Sequence, residues 1–162
     1  MSSISNQEAA TPRLRRRAVA ELKAELRSVR VQLSVLNHQV GTQAELKDVD
    51  LDCLDLISSR GPISPSMLAK HAGLHPATMT GILDRLERGG WIVRDRDPSD
   101  RRAVVIRVLP DRNAEMFRLY SGMNSLMDTI CADYDDAEIA VITDFLRRVQ
   151  AAGRAASEEL GN

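Results

Sequence analysis

Two short groups of side chains have the types and spacing that suit contacts with a nucleic acid. The first is the run Pro76-Ala-Thr-Met-Thr80, in which small and hydroxyl side chains open a predicted helix. Short side chains let a helix approach a duplex closely, and a threonine hydroxyl bonds base edges or phosphates. The second group is Arg96, Arg101 and Arg102, which lie within seven residues. An arginine on a loop can enter a narrow minor groove, where negative potential is concentrated.

The segment that must position the threonines has the pattern of a helix-turn-helix. Ser64 followed by proline is a favourable helix start, and we count Ser64 among the predicted DNA contacts. Gly73 supplies the turn four residues after the small Ala69, and a second helix is predicted over residues 76–88. Its N-terminus also favours a phosphate. The positions predicted to hold the helices to the core are Leu68, Ala72, Leu74, Met79 and Ile82, and those predicted to face outwards are Ala77, Thr78, Thr80, Gly81, Asp84 and Arg85. The predicted DNA contacts of the second helix are Pro76, Ala77, Thr78, Thr80, Gly81 and Arg85, and Asp84 is predicted to support the wing.

After this segment the spacing of apolar residues changes from a helical pattern to a strand pattern, which predicts a β-hairpin. Trp91 to Arg94 is a short extended piece. A strand over residues 103–108 would place Val104, Ile106 and Val108 on one face and Val105 and Arg107 on the other. The polar residues 96–102 between them form the tip, and residues 95–102 are the predicted wing. A helix-turn-helix with such a hairpin is a winged helix. Two plainer alternatives stay open, an ordinary helical hairpin and a solvated turn in which Asp97 and Asp100 neutralise the arginines.

The remaining sequence predicts flanking helices. Residues 1–12 read as a disordered leader, and residues 13–45 as a long helix that stops near Gly41. The seam of that helix repeats at steps of four and three, which suits packing on another helix; it comprises Leu22, Leu26, Val29, Leu33, Leu36 and Val40. Residues 46–109 form the predicted winged-helix domain, and residues 110–162 two more helices, with Asp135 or Asp136 as the last cap. The fold class is mainly α with a small β-hairpin.

Composition narrows the class of protein without fixing its function. The chain has 162 residues, 43% of them hydrophobic, and a net charge of −1. Residues 64–108 hold eight Lys/Arg against five Asp/Glu, a net +3, whereas residues 109–162 hold five against ten, a net −5. No apolar run approaches the roughly 20 residues of a membrane span, and the first residues do not read as a secretory signal. We therefore expect a cytoplasmic protein with reduced thiols.

Catalytic and metal-binding patterns are missing from the sequence. It contains no nucleophile elbow, zinc-protease motif, phosphate loop or dinucleotide fingerprint, so we expect no enzyme and no cofactor. His71 and His75 have a metal-compatible spacing, but Gly73 lies between them at the predicted turn, which argues against a metal site. Cys53 is predicted as a small core residue; Cys131 ends a helix, and a redox role stays open. The methionines Met116, Met123 and Met127, with Tyr120, favour core or dimer interface over a ligand pocket.

Two stretches of the winged-helix region carry a family resemblance: Leu68-Ala-Lys-His-Ala-Gly-Leu-His-Pro-Ala-Thr-Met-Thr-Gly-Ile-Leu-Asp-Arg-Leu-Glu-Arg-Gly-Gly-Trp-Ile-Val-Arg94 and Asp97-Pro-Ser-Asp-Arg-Arg-Ala103. They resemble the MarR family of bacterial and archaeal regulators. The resemblance implies a homodimer on a pseudo-palindromic operator, usually a repressor, often released by a small phenolic or anionic ligand. It implies that residues 76–80 face the major groove, that Asp100 to Arg102 is the wing signature with Arg102 in the minor groove, and that Asp84 pairs with a wing arginine.

The sequence departs from the family in three places. Gly81 occupies a position that often holds a basic residue, so one DNA contact is missing there. Leu109-Pro-Asp-Arg-Asn113 replaces the usual segment after the second wing strand, and the first helix is longer than usual. The leading hypothesis is a sequence-specific DNA-binding regulator that acts as a homodimer. The alternative is a winged-helix protein-interaction module without specific DNA binding, because a fold does not fix a function.

Overall fold

The computed structural model describes residues 4–100 and 102–161, with side chains from Pro12 onward. Its described part is mainly helical with one two-stranded antiparallel sheet, as predicted. The elements are α1 (Ile4–Ala44), α2 (Asp48–Arg60), α3 (Pro65–Ala72), α4 (Pro76–Arg88), β1 (Ile92–Arg96), β2 (Val104–Val108), α5 (Pro110–Leu119), α6 (Ser121–Cys131) and α7 (Asp136–Leu160). They divide into two compact units, one ending at Asp48 and one beginning at Val49.

Helix α1 is longer than the sequence predicts. It begins at Ile4 and includes Pro12, whereas the sequence predicts a disordered leader over residues 1–12; residues 1–3 lie outside the described residues. Good helix formers such as Glu8, Ala9 and Ala10 precede the proline and allow the extension. The predicted stop at Gly41 is wrong. The helix ends at Ala44, because Glu45 takes a left-handed φ of 57° and the Leu46 amide closes the end on the Gly41 carbonyl.

The apolar seam of α1 is largely open to solvent in the single chain. Leu22, Val29 and Leu33 are all exposed, although their spacing puts them on one face of the helix. An exposed seam of this kind is typical of a helix that packs on a partner.

The helix-turn-helix forms where the sequence predicts it. Ser64 caps α3 by accepting the Met67 amide at 3.3 Å. Gly73 ends that helix in the left-handed region, with φ 64°, and the Leu74 amide donates to the Ala69 carbonyl at 2.9 Å. A residue with a Cβ is strained at this φ, which explains glycine at the turn. The prediction of Gly73 as the turn residue is confirmed.

The hairpin completes the winged helix. Strands β1 and β2 pair in antiparallel register from Ile92 opposite Val108 to Arg96 opposite Val104. Ile63, just before α3, adds a bridge to Ile106 through two backbone hydrogen bonds of 3.1 and 2.8 Å. The buried core gathers side chains from α2, α3, α4 and the hairpin: Leu51, Cys53, Leu54, Ile57, Leu68, Ala69, Met79, Ile82, Leu83, Leu86, Trp91, Ile92 and Ile106.

The helices after the wing hold no buried residues in the single chain. The face predicted as one helix from Met116 to Ile130 is divided, because α5 ends and α6 begins at Tyr120, whose φ and ψ are −89° and 0°. Asp135 caps α7 in a reciprocal capping box with Glu138, as predicted. None of the helices among the described residues is both long and apolar enough to cross a membrane.

Candidate nucleic-acid interface

The first turn of α4 presents small side chains to solvent. Pro76 takes the first helical position, and His75 caps the helix because its Nδ1 accepts the Ala77 amide at 3.2 Å. Ala77 and Thr78 are exposed. The opposite face is anchored in the core by Met79, Ile82, Leu83 and Leu86, all buried. The helix is therefore held by one face while its N-terminal turn stays open, as contact with a groove requires.

Thr80 and Gly81 continue the open face into the second turn. The Thr80 hydroxyl donates to the Pro76 carbonyl at 3.1 Å, which leaves its oxygen lone pairs able to accept another hydrogen bond. A Cβ built on Gly81 would meet only the Arg85 guanidinium, at 4.0 Å. The glycine is therefore not required by packing, and it leaves the surface flat where a side chain would project.

The wing is tied to α4 through its first strand. Arg94 on β1 donates to Asp84 at 2.6 Å and to Glu87 at 2.8 Å, so one guanidinium spans two carboxylates of α4. Across the hairpin, Arg107 donates to Asp95 at 2.5 Å. The Arg94 bonds hold the hairpin to α4, and the Arg107 bond joins the two strands of the hairpin. The resemblance implied that Asp84 pairs with a wing arginine; in the structure Asp84 pairs with Arg94 on β1, which lies just before the predicted wing of residues 95–102.

Aspartates shape the tip of the wing. Asp97 accepts the Ser99 amide and hydroxyl at 2.7 and 2.6 Å, and the Ser99 hydroxyl bond lowers the pKa of Asp97. Asp100 accepts the Arg102 amide at 3.0 Å, so the side chains of the aspartates bond the backbone. Arg96 and Arg102 are exposed, and no carboxylate pairs with either within residues 12–100 and 102–161. Arg101 lies outside the described residues.

Arg85 has a different environment from the other predicted contacts. Its guanidinium donates to both oxygens of Asp50 on α2, at 2.6 and 3.3 Å, and to the Gly81 carbonyl at 3.3 Å. The Asp50 side chain is only 3% exposed, whereas that of Arg85 is 37% exposed. The hydrogen bond to Asp50 raises the pKa of Arg85 further, so the guanidinium stays charged. The sequence predicts Arg85 as a DNA contact, but in the structure it holds α4 to α2.

Comparison with known proteins agrees with this architecture. The MarR family model matches residues 46–104. The uncharacterized HTH-type transcriptional regulator YcgE of Bacillus subtilis is 33% identical over 132 residues, covering 76% of this chain and 86% of YcgE. The HTH-type transcriptional repressor YetL of the same organism is 32% identical over 76 residues, covering 47% of this chain and 46% of YetL. A MarR family protein from Bacillus stearothermophilus shares the fold, with a TM-score of 0.64 at 24% identity over 85% of this chain and 96% of that one. The chain belongs to the MarR family.

Membership assigns a general function. This MarR-family protein is a DNA-binding transcriptional regulator, because its relatives are helix-turn-helix regulators of transcription and not enzymes. The Arg94 bonds hold the hairpin that carries Arg96 and Arg102 to the helix that carries Thr78 and Thr80. Ser64 is half-buried and its hydroxyl already serves as the cap of α3.

Two features of the regulator escape simple reading of the sequence. Asp50 lies on the same buried face of α2 as Cys53, Leu54 and Ile57. A carboxylate on an apolar helical face indicates a buried ion pair, because a buried charge needs a partner. The spacing of His75 and His71 is compatible with a metal site, whereas in the structure His75 caps α4. Its position immediately before Pro76 was the signal for a helix cap.

The cysteines of the regulator differ in environment. Cys53 is buried, as predicted, and burial raises the pKa of its thiol to about 11. Such a thiol is a poor nucleophile at neutral pH, because the thiolate is the reactive form. Cys131 is exposed at the end of α6.

Proposed function

We propose that this regulator is a homodimeric repressor of a pseudo-palindromic operator, with α4 in the major groove and the wing in the minor groove. One observation carries the proposal: the open first turn of α4 and the exposed arginines Arg96 and Arg102 belong to one winged helix, in which Arg94 bonds the hairpin to α4. The relative YetL is a transcriptional repressor, which supports the direction of regulation. Binding to the chromosome implies action in the cytoplasm.

The proposed contacts divide between grooves and backbone. Residues 76–80 would read base edges, with Thr78 and Thr80 as hydrogen-bonding side chains, and Gly81 would permit close approach. Arg102, together with Arg96 and Arg101, would enter or flank the minor groove. Asp84 and Asp100 would act indirectly, by holding the wing. Ser64 would contribute the N-terminus of α3 to a phosphate. The Asp50 bonds of Arg85 favour a role in holding α4 over a direct DNA contact.

Dimerisation is proposed for the helices on both sides of the winged helix, residues 13–45 and 110–162. The support is exposed apolar surface: the large apolar side chains open to solvent on α6 and α7 include Leu126, Ile130, Val141, Ile142 and Leu146. Contiguous apolar surface of this kind marks a protein interface. In a symmetric dimer, the two α4 helices would lie about 34 Å apart, one turn of DNA.

Release of DNA by a small ligand belongs to the same proposal. A surface cavity of about 640 Å³ is lined by residues of α2, α3 and α7: Asp52, Asp55, Leu56, Ser58, Ser59, His71, Ala72 and Gln150. Burial raises the pKa of Asp55. The carboxylates at the wall disfavour an anion, so the proposed effector class is neutral or cationic. A thermal-shift screen of small molecules, followed by loss of operator binding for the hits, tests it.

The operator proposal is tested by fluorescence anisotropy with the duplex upstream of the regulator's own gene and a random duplex of equal length, over a salt series. We expect tight binding to the upstream duplex alone, at least about 1,000-fold tighter than to the random one. The double variant Thr78→Ala, Thr80→Ala should lose most of that preference. Thr129→Ala is the matched control, because its hydroxyl makes the same bond, to the Ser125 carbonyl at 3.0 Å, on exposed α6.

Equal and weak binding to both duplexes would contradict the proposal. It would favour the alternative of a protein-interaction module, in which the winged helix serves as a scaffold. If the threonine variant and Thr129→Ala lost the same amount of preference for the upstream duplex, the threonines of α4 would not contact the bases.

A further inference from the structure

Helix α1 carries a basic stripe that the winged helix does not account for. Residues 13–30 hold seven Lys/Arg against two Asp/Glu, a net +5, which exceeds the +3 of residues 64–108. At 3.6 residues per turn, six of the cations fall within an arc of about 140°. We call these six the basic stripe of α1: Arg13, Arg16, Arg17, Lys23, Arg27 and Arg30.

The stripe is segregated from the other charges and from the apolar seam. Glu21 and Glu25 lie about 40° and 80° outside the arc, and the seam of Leu22, Val29 and Leu33 lies on the far side of the helix. The stripe extends along about 26 Å of the helix axis, at 1.5 Å per residue. It therefore presents one sign of charge over the length of several base pairs.

The six side chains of the stripe are exposed, and none of them pairs with a carboxylate within the part of the chain that the structure describes. One contact within the helix is the Arg16 Nε bond to the Pro12 carbonyl at 3.2 Å. These cations are available to an anionic partner.

The winged helix offers fewer available cations than the basic stripe. Arg85, Arg94 and Arg107 are each bonded to carboxylates. The remaining described Lys/Arg of residues 64–108 that have no carboxylate partner are Lys70, Arg88, Arg96 and Arg102. The six cations of the basic stripe outnumber these four, so α1 holds the larger share of the unpaired positive charge in the two segments.

We propose that the basic stripe of α1 binds the phosphate backbone of duplex DNA outside the segment read by the winged helix. The inference rests on the proposed operator binding and adds to it a surface that sets affinity without reading sequence. A membrane surface would also attract the stripe, but an amphipathic membrane helix buries its apolar face in the lipid. The seam of α1 has coiled-coil spacing and suits a helical partner, which leaves only the basic face for an outside ligand.

The test compares a short duplex that holds only the operator with the same operator extended by about 10 base pairs on each side. The variant is Arg16→Gln, Lys23→Gln, Arg27→Gln, in which glutamine keeps the helix propensity. The matched control is Arg147→Gln, Arg148→Gln, Arg154→Gln, which removes the same charge from exposed α7. By helical spacing these arginines lie off the apolar face of Ile142 and Leu146 that is proposed for the dimer. Anisotropy over a salt series gives Kd and its salt dependence, and circular dichroism checks the fold. Vesicles with and without anionic lipid are tested in parallel.

We expect the α1 variant to bind the long duplex at least tenfold more weakly than the unmodified protein at low salt, with a log–log salt slope shallower by about 2 or more. Its binding to the short duplex should stay unchanged, as should both affinities of the α7 control. Equal effects of the two variants, no effect on the long duplex, or tight binding to anionic vesicles with no effect on DNA would each overturn the inference. If the unmodified protein fails to bind the short duplex specifically, the proposed function fails instead, and this inference with it.

Discussion

Replacement of Arg85 by alanine separates a structural role in α4 from a direct contact with DNA. In the structure, this guanidinium makes two bonds to Asp50 and one to the Gly81 carbonyl. The substitution leaves the Asp50 carboxylate, whose side chain is 3% exposed, without its cation. We expect a loss of folding stability without a loss of phosphate contacts.

The size of the loss follows from the burial of the pair. Removing one partner of a buried ion pair costs about 3–5 kcal/mol, because the other charge stays buried. The Arg85 side chain is 37% exposed, so water can reach the vacated site and the cost should lie at the lower end, about 3 kcal/mol. At roughly 2–4 °C per kcal/mol for a chain of this size, the midpoint of thermal unfolding should fall by about 6–12 °C.

Urea unfolding followed by far-ultraviolet circular dichroism measures this change. Arg88→Ala is the control, because Arg88 is exposed on the same helix and bonds only the Asp84 carbonyl of its own helix; we expect a change within about 0.5 kcal/mol. The double variant Asp50→Ala, Arg85→Ala should lose no more than Arg85→Ala alone, since the unpaired charge is gone. A loss below about 1 kcal/mol in Arg85→Ala, or additive losses in the double variant, would refute the reasoning.

The same variant has a DNA-binding readout. Because the guanidinium is committed to Asp50, the slope of log Kd against log salt should be unchanged in Arg85→Ala. A slope shallower by about 1 per contact would show instead that Arg85 neutralises a phosphate, as the sequence predicts.

Four further predictions concern other positions. Gly73→Ala should lower the free energy of unfolding in urea by about 1 kcal/mol, because φ is +64° at this position. Gly81→Ala, which meets no clash in α4, should raise it by about 0.5–1 kcal/mol. A change in the same direction for both variants would contradict the left-handed turn at Gly73. Asp135→Ala should cost about 1 kcal/mol through loss of the α7 capping box, and no change in unfolding would exclude that contribution. The raised pKa of Cys53 predicts that the folded protein loses stability as pH rises from about 9 towards 11, because only the unfolded thiol ionises readily in this range. The loss should be on the order of 2 kcal/mol. In Cys53→Ala, the free energy of unfolding should depend less on pH over the same range. Arg102→Ala should weaken operator binding with unchanged unfolding, and unchanged anisotropy would remove Arg102 from the interface.

Local patterns predicted the elements around the site well. Ser64 with the following proline, Gly73 and Pro76 each act through their own backbone or cap geometry, so the helix-turn-helix could be located from neighbouring residues alone. The alternating residues of β2 likewise located the hairpin. The bounds of α1 differ from the prediction, because Gly41 is compatible with a helix end but the helix continues to Ala44. Helix boundaries depend on small differences in free energy that a single residue does not decide.

The sequence by itself determined the family, the order of the elements and the open first turn of α4, because periodicity and turn chemistry are properties of neighbouring residues. Only the tertiary structure decided which charged residues are available. Arg85 and Arg94 have the same side chain as Arg102, yet the first two are bonded to Asp50, Asp84 and Glu87, while Arg102 is exposed. Partners such as Asp50 lie 35 residues away along the chain, and folding brings them within hydrogen-bonding distance. Charge availability is set by such long-range contacts, so a count of arginines along the chain cannot give it.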